Sequence, residues 1–218
     1  MNASNAGIEI EIRGAEAVWV LGAHLYATLV PLVLCLVADH HREFLEATVH
    51  DPWWLMVAAA LLCLGSAFEV GQNTVDHWYL TPETGSANGT GVCDGLFYTF
   101  VTAGQAAILL ALAGDRGWVV FVAALSVIAA PLLYLRQRAI FLPMGLTGLC
   151  GAWLAFELFG DPIVWLQLLL PAVTMYFFGL LLATGAQILH GLTTAAASSG
   201  LWFLVLAIHQ AEAGTPLG

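Results

Sequence analysis

The chain has 218 residues, of which 60% are hydrophobic and only 9% charged, and its formal net charge is −10. Soluble domains carry about a quarter charged residues, so this composition excludes a water-soluble globule, which would lack the polar side chains to cover itself. Five arginines and no lysine cannot neutralise a run of phosphates, which argues against nucleic acid as a partner, and the missing lysine rules out a retinal-type Schiff base.

In chain order, residues 1–13 show no basic region followed by an apolar core, so a cleaved signal peptide is not expected. Seven apolar stretches follow, at about 17–37, 54–76, 95–113, 118–135, 139–159, 163–189 and 192–208. Each approaches the roughly 20 apolar residues that a helix needs to cross a bilayer. The breaks between them carry charge or turn formers: Asp39-His40-His41-Arg42-Glu43, Gly114-Asp115-Arg116-Gly117, Arg136-Gln137-Arg138 and Gly160-Asp161-Pro162. The last break, at His190-Gly191, is read as a short turn, because one helix of the combined length would far exceed a bilayer. The expected fold is therefore all-α: one polytopic membrane domain over 1–218, with seven transmembrane helices and the termini on opposite sides. Mean hydropathy of +0.86 agrees with an integral membrane protein, expected in the cell (cytoplasmic) membrane. Arginines fall on both sides, so the positive-inside rule does not orient the chain. The long loop without arginine favours an external N-terminus.

Polar chemistry concentrates at the end of the second stretch. Glu69, Asn73 and His77 are spaced i, i+4, i+8, with Ser66 three before Glu69 and Asp76 three after Asn73. A helix places these offsets on one face. A carboxylate at membrane depth is costly, so Glu69 needs a partner, a water cavity or a proton. With alternating helices, this ridge shares its level with His24 and Tyr26 on the first helix and with Tyr98, Thr102 and Gln105 on the third. The sixth and seventh helices add Gln187, His190, Ser198 and Ser199. Ser126 and Thr147 fall mid-helix in the barer half, and His40, His41 and His50 in a water-facing loop. Small residues from Ala195 to Gly200 read equally well as a close-packing surface, and Asp76 and His77 as part of an aromatic belt with Trp78 and Tyr79.

Imidazole and carboxylate donors suit zinc, which in catalytic sites takes three ligands and keeps an open position. His24, Glu69 and His190 come from three helices that can converge, and are the expected zinc ligands. Bis-histidine haem, from pairs among His24, His190 and His209, is a weaker option. The stretch Leu64-Gly65-Ser66-Ala67-Phe68, with Gln72 and Asp76, resembles a fragment of the alkaline ceramidase and adiponectin-receptor superfamily, seven-helix membrane hydrolases with a histidine-bound zinc. That resemblance implies roles for Ser66 and Asp76. It departs from the superfamily at Glu69, where a histidine is expected, and at helix seven, which offers His209 and Glu212 instead of a paired HxxxH.

The leading expectation is a membrane-embedded, zinc-dependent hydrolase of a lipid amide or ester, with Ser66, Asp76 and His77 as catalytic groups. Membrane lipid is the expected partner, with a second copy of the chain as a further one. Two other readings stay open: a proton or cation transporter, channel or sensor built on the Glu/His/Asp cluster, and a structural subunit of a membrane complex.

Overall fold

The computed structural model describes residues 18–19, 21–74, 91–136, 142–160 and 187–214. The described residues form helices and turns, with no strand among them. Among the described residues, six helices are long and apolar enough to cross a membrane. They are α1 (Leu21–His40), α3 (Trp53–Thr74), α4 (Gly91–Ala113), α5 (Gly117–Leu135), α6 (Leu142–Phe159) and α7 (Gln187–Ala213). A short helix, α2 (Arg42–Thr48), lies between α1 and α3. It turns Arg42, Glu43 and Glu46 outward and buries Leu45.

Local chemistry explains the element ends. Pro31 has no N–H to donate to the residue four before it, and the ladder tightens there: Val33 N donates to Val30 O and Leu34 N to Pro31 O, each at 3.0 Å. The turn into α3 serves two helices. The Asp51 carboxylate accepts from Trp53 N at 3.0 Å. The backbone N–H groups of His50 and Asp51 donate to Leu112 O and Ala111 O at 3.3 and 3.1 Å, satisfying carbonyls that the end of α4 would otherwise leave open.

Contacts give the directions. Gly65 meets Val101 while Leu62 meets Gly104, so α3 and α4 are antiparallel. Gln105 meets Thr147 and Gly151 meets Leu109, so α4 and α6 are parallel. Trp19 meets Gly191 and Tyr26 meets Ser199, so the first span and α7 are parallel. Helix α4 is the hub, packing against α3, α5 and α6. Over half of its spanning window is buried (56%), against 22% for α5, whose outward face is apolar and suited to lipid. The largest fully buried side chains include Leu34, Leu55, Leu109, Leu154 and Ile208, which draw α1, α3, α4, α6 and α7 into one core.

Two expectations about boundaries are corrected. The expected turn at His190-Gly191 lies inside α7, which runs unbroken from Gln187 to Ala213. Gly191 is there for close approach: a Cβ on it would sit 2.5 Å from Trp19 Nε1. The same helix continues past Ile208, and α4 starts at Gly91, taking in Val92, Cys93 and Asp94. Helices thus outrun their apolar stretches, because backbone bonding continues into the interface where charged side chains reach water.

The α3–α4 seam is tight at two glycines. A Cβ on Gly104 would lie 2.6 Å from Leu62 Cγ and 3.2 Å from Leu62 N, and one on Gly65 would lie 3.0 Å from Val101 Cγ2 and 3.1 Å from Val101 N. Small residues at such seams let backbones approach closely enough for dispersion contacts to hold helices together in lipid. Gly104→Leu is therefore expected to destabilise the bundle by about 1–3 kcal/mol through overpacking. Gly200→Ala, where a Cβ meets nothing within 4 Å, should be near neutral. Unfolding titrations in mild detergent check both, and equal effects at the two positions would contradict the seam.

Candidate functional site

The seam face of α3 carries the polar ridge inward. Gly65 and Glu69 are one turn apart, so packing Gly65 onto α4 turns Glu69 toward the bundle interior. Ser66 and Glu69 are buried, at 6% and 7% exposure. Opposite them stands His24 of α1, 1% exposed, with Nε2 3.8 Å from Glu69 Oε1. Phe68 stacks on Phe100 at 5.7 Å between ring centroids, covering the seam beside the pair. The pair thus joins α1 to α3 at the end of the bundle where α1 begins. The imidazole on the facing helix can either donate a hydrogen bond to a carboxylate or accept one from a carboxylic acid. That arrangement suits an apolar interior in which a lone charge is costly.

A second polar connection ties α1 to α7 at the same level. Trp202 Nε1–H donates to the Tyr26 hydroxyl oxygen at 3.1 Å. Ser199 donates its single hydroxyl proton to Ala195 O at 2.8 Å, so it accepts from Tyr26 across 3.0 Å. Ser198 donates to Thr194 O at 2.9 Å. Both serines therefore bond their own helix, as small polar residues in membrane helices commonly do.

The opposite end holds a cluster that the sequence reading misplaced. His41, expected in water, is 5% exposed and bonded through Nδ1 to the Glu212 carboxylate. Its ring packs edge-on against His40 at 4.7 Å and against His209 at 5.5 Å. The extension of α7 past Ile208 causes this, by carrying His209 and Glu212 over the end of α1. Their i, i+3 spacing, on the side where Asp39-His40-His41 emerges, is the signal that would have found it. At the same end Arg116 Nη1 reaches both Glu157 oxygens, at 2.8 and 2.9 Å, clamping the α4–α5 turn to α6. Half exposed, this pair contributes little energy.

Of the expected zinc ligands, the structure brings His24 and Glu69 together, while the His190 side chain lies outside the described residues. Asp76 and His77 lie outside them too. Among the described residues no three His, Cys, Asp or Glu side chains converge as a metal site would require. His24 and His209 stand at opposite ends of the bundle, one beside Glu69 and the other beside His41, so these two cannot share a haem.

Fold and composition define an integral membrane protein, an all-α bundle of transmembrane helices. A model of a seven-transmembrane receptor family matches residues 17–214, nearly the whole chain, and the protein belongs to that family. This corrects the resemblance to the ceramidase and adiponectin-receptor superfamily, and removes what that resemblance lent to a hydrolase. The residues behind it have packing duties instead: Gly65 touches the α4 backbone and Phe68 stacks on Phe100. No curated protein and no solved structure matches the chain.

Because Glu69 and His24 sit on different helices, their coupling is measurable. Glu69→Leu and His24→Leu should each destabilise the protein. The double variant should cost less than the sum of the two, by about 1–3 kcal/mol, because replacing both members of a buried pair leaves no polar group behind. Additive losses in a detergent unfolding cycle would mean that the two side chains do not interact.

Proposed function

We propose that this receptor works as a conformational sensor, and that the buried Glu69–His24 pair is the element through which a stimulus changes how α1 packs on α3. The observation that carries the reading is the geometry of the pair: an intramembrane carboxylate and an imidazole on separate helices, 3.8 Å apart and shielded from water. An ionisable residue placed at membrane depth is a functional candidate by default. Membership of a receptor family supports a sensing role over catalysis. A proton, a cation or a polar ligand that reaches the pair competes for the same carboxylate, and losing the interaction loosens the start of α1 from the end of α3, while their apolar contact around Leu34 and Leu55 remains. Helix α1 is also joined to α7, through Tyr26 at one end and His41 at the other. A shift at Glu69 therefore has a mechanical route to the far side of the bundle. The two arrangements of α1 form a two-state element that a ligand biases only as far as it binds them differently.

The experiment uses distance measurements between spin labels at Glu43 and Ala213, in a background whose four native cysteines are replaced by alanine and in lipid nanodiscs. Both positions are exposed at the far end. Glu69→Gln keeps the shape but removes the charge, and is expected to shift or broaden the distance distribution, with His24→Gln doing the same. Distributions identical to wild type for both variants would contradict the sensor reading. Glu69-dependent proton flux across vesicles would replace it with a transporter.

A further inference from the structure

Glycine has two opposite uses in this bundle. At Gly65, Gly104 and Gly191 an added Cβ would fall between 2.5 and 3.0 Å from a neighbouring helix, so glycine there permits contact. At Gly148 and Gly151 the nearest atoms would be 3.9 and 3.6 Å away, and at Gly200 nothing lies within 4 Å. Glycine at these three positions is not required by close approach; it leaves room. All three line one cavity of about 110 Å³ between α4, α6 and α7, close to the middle of each span.

The cavity has a polar end. Gln105 of α4 and Thr147 of α6 meet there. The one Thr147 hydroxyl proton has three acceptors in reach, Pro143 O at 3.0 Å and Met144 O at 3.1 Å on its own helix and Gln105 Oε1 at 2.7 Å, and it goes to Gln105, the shortest. That contact occupies the carbonyl half of the carboxamide. The amide nitrogen is the half nearest Gly148, at 3.9 Å from its Cβ position, and has no acceptor among the described residues. Among the described residues the remaining wall is apolar, including Leu204, and none of those that line it is charged. A polar donor facing an apolar space at membrane depth gains from any acceptor brought to it.

We infer that this cavity is a binding site for a small neutral molecule, with an apolar body no larger than a five-membered ring and one hydrogen-bond acceptor, such as a ketone. Its size follows from comparison with the dry apolar cavity of about 150 Å³ that takes benzene. Neutrality follows from the uncharged side chains that form the described wall. The acceptor follows from the Gln105 amide nitrogen. Membrane lipid is a poor source of that group, because its ester carbonyls sit at the interface while the cavity lies mid-span. The ligand is thus a small solute that partitions into the bilayer. This site lies on other helices than the Glu69–His24 pair, and its occupancy does not depend on the sensor reading.

The probes are cyclopentanone and, as its apolar counterpart, cyclopentane. Binding to the full-length protein in lipid nanodiscs is followed by saturation-transfer NMR, with empty nanodiscs as the partition background. Wild type is expected to bind cyclopentanone saturably above that background. Gln105→Leu should weaken cyclopentanone by about tenfold, the weight of one net hydrogen bond, while retaining cyclopentane. Gly200→Leu should abolish both by filling the space. Wild-type signal no greater than that of empty nanodiscs would overturn the proposal. So would cyclopentanone affinity unchanged in both variants. Should Gly200→Leu fail to fold, the ratio of the two affinities in wild type and Gln105→Leu decides: a ratio unmoved by the substitution overturns the site. Binding is read directly on the protein, so its failure is distinct from failure of the Glu69–His24 switch, which is read from helix distances.

Discussion

Close approach of α3 and α4 at Gly65 and Gly104 is the contact on which the remaining arrangement depends. In lipid there is no hydrophobic force to drive one apolar helix onto another, so dispersion at short range and a few polar contacts must do it. Setting Gly65 against the α4 backbone fixes the rotation of α3 about its axis. That rotation turns Ser66 and Glu69 inward, one residue and one turn further on, and brings the carboxylate to His24. On α4 the same contact leaves Gln105, beside Gly104, directed at α6 and Thr147. A single seam thereby orients polar groups on both helices.

Helix α1 is the other organising element. Near its start it meets α3 through His24 and α7 through Tyr26, and beyond its end His41 meets α7 again through Glu212. It is tied to its neighbours at both membrane faces, with a proline at mid-length where the backbone ladder is already interrupted. On the proposed sensor reading, these ties carry a change at one end to the other as a movement of α1 rather than as diffuse loosening. This is the property a receptor needs if it is to carry information across a membrane without carrying material.

Much of this was legible in the sequence, for identifiable reasons. Apolar stretches separated by charged turns report spanning helices directly, since bilayer thickness sets their length. Glu69 stood out because a carboxylate in an apolar run demands compensation, and the alternation of helices put His24 at its level. Close-packing glycines were opaque: Gly65 and Phe68 resembled a hydrolase motif although they serve the α4 contact, and Gly191 looked like a turn although it makes room for Trp19. His41 was misread because flanking charges in Asp39-His40-His41-Arg42-Glu43 suggested water, and the length of α7 beyond its apolar run was not apparent. Gln105 and Thr147 were assigned to different halves of the membrane, and only the parallel packing of α4 and α6 brings them together.

The account turns on Glu69 facing His24 inside the bundle, and dipolar recoupling NMR measures that distance directly. Protein labelled with ¹³C at the glutamate carboxyl carbons and ¹⁵N at the histidine rings, in lipid, should show carbon–nitrogen dephasing that includes two pairs of the described residues: Glu69 with His24, and Glu212 with His41. Glu69→Gln should remove the first contribution and leave the second as an internal reference. Dephasing unchanged by that substitution would show that Glu69 does not lie against His24, and would contradict the mechanism built on the pair.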